Sequence, residues 1–341
     1  MRVLIMTAIY PTRENPAFGS FVRTQAESLK RAGIGVEVLV LKGRNRKLIY
    51  PKGVSQLRNL LKWGLFDLVH AHYGFVGMVA RTQWKVPLVV TYHGDDLLGT
   101  VVEEGKKALW SPLVVAAGKK LAQYVDAAIV QTAEMASKLT KSNVFVIPHE
   151  VDFDIFYPTE RLEARAMLGL KPDKKYLLFA ADPKIPVKRF PLAKTVADWL
   201  GRRDPSIELL VVSRETQPRL ALYMSACDAL VFPSYQEGSP NVVKQAMACN
   251  LPIVATDVGD IRQVIGNTKG CYVCNPSVSE FAARITEILS PPRRTEGREA
   301  IRHLDSSAVS GRIIEVYEHV LRNRRKRVAR QTRRDVIVTA K

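Results

Sequence analysis

The chain reads as α/β throughout, as two consecutive doubly wound, Rossmann-like domains, each on its own parallel sheet. Three observations predict this. Short apolar runs alternate with amphipathic stretches in two successive series. At 341 residues the chain exceeds what one hydrophobic core usually supports. Its 47% hydrophobic and 25% charged content is that of a globular protein, and no run of 18 apolar residues is present to span a bilayer.

In order along the chain, the first series places strands at 3–10, 36–41, 68–73, 87–93, 127–132 and 144–148. Helices are expected at 21–32, an amphipathic stretch closed by Gly33, and at 77–84 and 111–125. The second series has strands at 176–181, 208–213, 229–233, 252–256 and 271–274, separated by helices at 191–200, 219–227, 241–249 and 280–289. The joint is expected at Val146-Ile-Pro-His-Glu-Val-Asp-Phe-Asp-Ile-Phe-Tyr-Pro158, which divides the chain into domains 1–149 and 150–305. Residues 306–320 carry Val309, Ile313, Ile314, Val316, Tyr317 and Val320 on one stripe and read as a terminal helix.

The net charge is +18. Residues 321–341 hold nine Lys and Arg against one Asp, so +8 of the +18 lies in this basic tail, which is expected to be disordered. The remaining basic charge suits anionic substrates or an anionic membrane surface. No nucleic-acid recognition motif accompanies the tail, and no nucleic-acid partner is expected. The first ten residues are too short for a signal core and meet Pro11, so they read as a buried strand. With four cysteines in so long a chain, the thiols are expected to be reduced and the protein cytoplasmic. Cys271-Tyr-Val-Cys274 has metal-like spacing but lacks a second pair, so packing within a strand is expected, and no metal.

Glu237-Gly-Ser-Pro-Asn-Val-Val-Lys-Gln-Ala-Met247 is the most informative segment. An apolar strand precedes it, and a turn and apolar helix follow, leaving free N–H groups at the helix start where a phosphate can bind. A carboxylate at that mouth repels phosphate, so Glu237 is expected to face sugar hydroxyls. The segment resembles the signature of retaining, nucleotide-sugar-dependent glycosyltransferases of family four, the group-one family, whose fold is GT-B: two Rossmann-like domains facing across a cleft. The resemblance covers roughly residues 1–320. That family carries Glu, seven residues, then Glu; here the second position is Gln245. In the joint, His149 and Glu150 stand where the family has Asn-Gly.

The resemblance implies the remaining site residues. Gly238, Ser239, Pro240, Asn241 and Val242 form the phosphate-binding turn and helix start, and Gln245 meets the nucleotide's ribose. Gly19, in the first loop, allows close backbone approach to a diphosphate. His93, in Tyr92-His-Gly-Asp-Asp96, reaches the donor sugar and phosphate. Lys188 matches the lysine that neutralises the pyrophosphate. The accompanying arginine position is Pro183, with Lys184 adjacent as a replacement. His70 and His72, ending a strand, are expected to line the cleft. The terminal helix of this family crosses back to the first domain.

The resemblance implies retaining, metal-independent transfer from a nucleoside-diphosphate sugar to a hydroxyl acceptor, with no cofactor. Lys188, the helix start and Gly19 would stabilise charge on the leaving group, and the acceptor would enter on the same face of the sugar. A glycosidase needs two carboxylates flanking the bond, and only Glu237 is evident. Gln keeps a carbonyl acceptor but loses the charge, which weakens donor binding roughly tenfold. Three other readings stay open: a nucleotide-sugar-binding protein of this fold with impaired or no catalysis, a nucleotide-sugar epimerase, and, from the basic tail alone, a nucleic-acid-binding protein that would lose its binding without residues 321–341. Peripheral attachment to the inner membrane face is a further expectation, from Lys106, Lys107, Lys119 and Lys120 among Leu98, Trp110, Leu113 and Val114.

Overall fold

The structure is a computed structural model and describes residues 1–43, 46–102, 105–140 and 143–339. In the first domain the strands are β1 (Arg2–Thr7), β2 (Gly35–Val40), β3 (Leu68–His72), β4 (Leu88–Thr91), β5 (Ala127–Val130) and β6 (Val144–Val146). Between them run α1 (Ser20–Arg31), α2 (Arg46–Leu61), α3 (Gly74–Ala80), α4 (Asp95–Leu98), α5 (Ser111–Ala122) and α6 (Ala133–Ser137). The second domain has β7 (Lys175–Phe179), β8 (Ile207–Val211), β9 (Ala229–Phe232), β10 (Ile253–Thr256) and β11 (Cys271–Cys274). Its helices are α7 (Arg161–Leu168), α8 (Phe190–Gly201), α9 (Gln217–Ala226), α10 (Asn241–Ala248), α11 (Ile261–Ile265), α12 (Val278–Ile288) and α13 (Gly297–Ala300), and α14 (Ser306–Thr339) ends the chain.

Both sheets are parallel, in the orders β2-β1-β3-β4-β5-β6 and β11-β10-β9-β7-β8. Each has helices on both faces, which is why its central strands carry buried apolar residues at consecutive positions rather than only at alternate ones. In β1, Leu4 and Met6 enter one core while Val3 and Ile5 enter the other. In β7, Tyr176 and Leu178 divide from Leu177 and Phe179 in the same way.

The first core face of the first domain is completed by the end of the chain. Val309, Ile313, Val316, Tyr317 and Val320 of α14 pack with Val3, Ile5, Val22 and Leu29. The backbone remains helical to Thr339, which corrects the expectation of a disordered tail over residues 321–339; residues 340 and 341 lie outside the described residues. No Gly or Pro follows Gly311 to stop the helix, and Arg and Lys favour it. Basic residues of this helix also reach the first domain: Arg312 donates to the Val146 carbonyl at 2.7 Å, Arg324 donates to the Lys85 carbonyl, and Arg327 lies 3.9 Å from Asp126.

Strands β1 to β9 end one to three residues before the apolar runs do, and β10 and β11 end with them. Gly94 at φ 80 and Tyr73 at φ 74 turn the chain out of β4 and β3, so the residues beyond are raised over the sheet edge. The apolar-run reading also omits α2, whose Pro51 and Gly53 look like loop residues, and the short α4, α6, α7, α11 and α13. Cys271 and Cys274, three apart in β11, fall on opposite faces of the sheet, in separate cores. They cannot share a metal ion, and all four cysteines are free.

Candidate active site

Ligands in parallel α/β sheets gather beyond the carboxyl ends of the strands, and here those ends converge from both domains. Tyr73, His93, Gln131 and His149 follow β3, β4, β5 and β6, while Lys188 and Glu237 follow β7 and β9. With Gly19 and the Gly238–Gln245 segment they line a cavity of about 360 Å³. Its floor is a close approach of two loops: a Cβ on Gly238 would lie 3.3 Å from Gly94 Cα. Cross-domain hydrogen bonds brace it, from Gln236 Nε2 to the Gly99 carbonyl at 2.7 Å and from Gln217 Nε2 to Thr24 Oγ1 at 3.2 Å.

Glu237 and Lys188 face each other here, with Nζ 2.6 Å from Oε1. Glu237 also lines a second cavity of about 740 Å³, together with Lys107, Lys119 and Lys138 and the apolar Leu97, Leu109 and Val115. A third, apolar slot of about 260 Å³ shares Ala180, Glu215 and Leu220 with the first and adds Ile185 and Val212.

His93 is held from several directions. Its backbone N–H donates to Asp96 Oδ2 at 3.0 Å, and Asp96 Oδ1 accepts from the Gly74 N–H at 3.0 Å. The 4%-exposed Asp96 therefore ties the β3 and β4 loops together. Burial pushes its pKa up to about 6 against the pull of those two N–H groups. The His93 ring bonds to His72 on one side and His149 on the other, each at 3.1 Å. Burial, then the neighbouring imidazoles, holds His93 well below the usual histidine range; burial and Lys244 do the same for His149. Both rings are neutral at physiological pH.

The start of α10 is supported by Lys244, a wholly buried cation. It donates to Ser239 Oγ and, at 3.2 Å, to the His149 carbonyl, and lies 3.5 Å from Asp260. Ser239 Oγ in turn donates to Asp260 Oδ2 at 2.5 Å. Burial lowers the Lys244 pKa, with Asp260 opposing.

Gly19, His93, Lys188, Glu237, Gly238, Ser239, Pro240, Asn241, Val242 and Gln245 are brought to one cavity. Lys184 is not: it is exposed, turned out by an Asp182 Oδ1 that accepts its backbone N–H. His70 and His72 do not line the cavity either. Both are fully buried, and His70 is bonded to Tyr317 and Thr91 at 2.6 and 2.7 Å. Gly19 lines the cavity, but what demands glycine is its own chain: φ is 68, and a Cβ would come within 2.7 Å of the Ile9 carbonyl. Sequence reasoning gave no role to Asp96, Lys244, Gln131 or Glu215. Asp96 sits inside the quoted Tyr92–Asp96 motif and could have been found there. Lys244 lies in a helix buried on all sides, where side-chain pattern carries no signal.

A family model described as Glycosyltransferase Family 4 matches residues 9–155, and one described as Glycosyl transferases group 1 matches residues 195–291. The D-inositol 3-phosphate glycosyltransferase of Mycolicibacterium smegmatis is 29% identical over 292 residues, covering 74% of this chain and 67% of that protein. The enzyme of that name from Mycobacterium marinum is 29% identical over 283 residues, covering 73% and 61%. The chain thus spans about two thirds of the length of these relatives. Among solved structures, a sucrose-phosphate synthase from Thermosynechococcus elongatus superposes with a TM-score of 0.76 at 20% identity, covering 95% of this chain and 100% of that one. Anabaena HepE in complex with UDP and glucose superposes at 0.69 and 15% identity, covering 94% and 100%. The chain belongs to the family-four, group-one glycosyltransferases and has their two-domain GT-B fold.

Proposed function

We propose that the protein is a retaining glycosyltransferase that moves a sugar from a nucleoside diphosphate to a hydroxyl acceptor without a metal ion. The carrying observation is that Glu237 stands between two cavities, one closed by Lys188 and the α10 start and the other open toward lysines and apolar side chains. The first suits the donor. Its apolar side slot, walled by Val212 and Leu220, suits a nucleobase, Gln245 the ribose, and Lys188 with the first N–H groups of α10 the diphosphate. HepE, which is similar in fold, is solved in complex with UDP, which supports a nucleoside diphosphate as the ligand.

As the bond from the anomeric carbon to the leaving phosphate oxygen breaks, charge grows on that phosphate, where the lysine and helix start stabilise it. The acceptor oxygen bonds to the same face of the anomeric carbon, and its proton passes to the departing phosphate oxygen. Glu237 holds the sugar hydroxyls. Lys188 supplies the positive charge that a metal ion gives in other transferases.

The larger cavity suits the acceptor: Lys107, Lys119 and Lys138, set among the carboxylates of Glu134 and Asp257, suit a polar or phosphorylated group, and Leu97, Leu109 and Val115 an apolar portion. At its mouth Leu109, Leu113 and Trp110 are 99%, 75% and 52% exposed. This apolar projection beside lysines suits peripheral attachment to the anionic cytoplasmic membrane face and a lipid-linked acceptor. Among the described residues no helix is long and apolar enough to cross a membrane.

The test is turnover of UDP-, GDP- and ADP-sugars with hydroxyl acceptors, including phosphorylated ones, with and without EDTA. Expected is EDTA-insensitive nucleoside diphosphate release that depends on acceptor, with the anomeric configuration kept by NMR. Release that needs a divalent ion, inversion, or isomerisation of the sugar without acceptor would each reject the reading.

A further inference from the structure

His72, His93 and His149 form a file of imidazoles joined nitrogen to nitrogen. His72 Nδ1 lies 3.1 Å from His93 Nε2, and His93 Nδ1 lies 3.1 Å from His149 Nε2. The ring planes of each pair are nearly parallel, at 20° and 7°, and the centroids are 5.2 and 5.0 Å apart. That spacing, with nitrogens at 3.1 Å, is the edge-to-edge placement of a hydrogen bond.

The file has a direction. Burial keeps all three rings neutral, and a neutral imidazole carries one N–H and one bare nitrogen. Three in a row must therefore all donate the same way. At the inner end, His72 Nε2 is buried and has no hydrogen-bond partner. Donation toward His72 would leave an N–H orphaned there. Donation toward His149 leaves only a bare nitrogen, and buried orphaned donors are the rarer of the two. The file thus runs His72 to His93 to His149, and the proton left at its end is on His149 Nδ1, in a residue that lines the donor cavity.

Gln131 supplies an independent observation. It lines the same cavity, is 2% exposed, and neither its Oε1 nor its Nε2 has a hydrogen-bond partner. A carboxamide buried with both ends unmatched is costly unless a ligand completes it. It asks for one donor and one acceptor, and His149 asks for an acceptor. An anion would be repelled by Gln131 Oε1 and a cation by both N–H groups. Vicinal hydroxyls, each donor and acceptor at once, match all three.

We propose that Gln131 and His149 form a subsite that reads the hydroxyls of the transferred sugar and so determine which sugar is used. The inference rests on the donor reading of this cavity. His72 is a positioning residue: it sets the tautomer of His93 and through it that of His149.

The experiment is calorimetry of UDP, GDP and ADP, and of UDP-glucose, UDP-N-acetylglucosamine, GDP-mannose and ADP-glucose, with the parent protein, Gln131→Met, His149→Asn and His149→Phe. The readout is the ratio of the sugar nucleotide's Kd to that of its bare nucleotide. Expected is a rise in this ratio of roughly five- to tenfold in Gln131→Met and His149→Phe, with bare nucleotide affinity within about twofold of the parent and a smaller rise in His149→Asn. An unchanged ratio for every sugar nucleotide bound, with nucleotide binding intact, overturns the subsite alone. Equal loss for nucleotide and sugar nucleotide overturns it as well, since the residues would then shape the cavity rather than read the sugar. If the parent binds no nucleotide in the panel, the donor reading fails and the subsite with it.

Discussion

Lys188 Nζ and Glu237 Oε1 lie 2.6 Å apart between the two cavities, with side chains 25% and 15% exposed, so neither charge acts independently of the other. In the proposed function Lys188 serves the leaving phosphate and Glu237 the sugar, and the ion pair joins the two. Lys188→Ala and Glu237→Ala are each expected to lower kcat by about 10²–10³-fold. The double variant should lose far less than the product of the two, because groups that act as a unit are not additive. Either single variant keeping activity within a few-fold of the parent, with unchanged circular dichroism, would remove that residue from the mechanism.

Gln245 reaches the same cavity and is 9% exposed. Gln245→Glu is predicted to tighten nucleotide binding by up to roughly tenfold, since a charged acceptor bonds hydroxyls more strongly than a neutral one. Calorimetry with nucleoside diphosphates checks this. No gain, or weaker binding, means that Gln245 does not meet the ribose.

Glu150 takes the place of the family's glycine in the joint and is buried there, its Oε1 accepting from Ser28 Oγ at 2.8 Å and its Oε2 without a partner. Burial raises its pKa to about 8. The folded state therefore keeps a proton that the unfolded chain releases above about pH 4.5. This group's stabilising share is whole below that pH and is lost as pH rises toward 8. Glu150→Gln keeps a carbonyl for Ser28 and carries no charge. It should match the parent near pH 5 and exceed it by roughly 2–4 kcal/mol at pH 8.5. Urea midpoints at the two pH values decide the matter; a pH-independent difference would show that the carboxyl is not held protonated.

Leu109 lines the larger cavity with Lys107, Lys119 and Lys138, and both Leu109 and Leu113 project into solvent. Replacing both with Asp is expected to abolish co-sedimentation with anionic vesicles at low salt, while leaving binding of nucleoside diphosphates unchanged. Deleting residues 321–341 should reduce vesicle binding only in part. If that deletion alone abolishes it, the basic end of α14 is the anchor; equal binding to neutral vesicles would reject the electrostatic part.

What the sequence determined by itself was the order of elements and the half of the site that is contiguous in the chain. Two series of apolar runs sufficed for two parallel sheets, because a strand buried on both faces must be apolar throughout. Glu237 to Gln245 could be placed because a turn followed by a helix start is a local feature, legible wherever it occurs. Helix α2 escaped, since Pro51 and Gly53 read locally as breakers, and α14 ran past the expected end, since nothing in its sequence stops it. Tertiary structure alone decided which side chains meet. The pairing of Lys188 with Glu237, the tie of Asp96 across two loops, and the file from His72 to His149 each join residues brought together by the sheets, not by spacing. The same holds for exposure: Lys184 and Lys188 are alike in sequence and lie in one loop, yet Asp182 turns the first to solvent and a short helical turn aims the second inward. Burial, which neutralises the histidines and protonates Glu150, is a property of what surrounds a residue, and those surroundings come from distant parts of the chain.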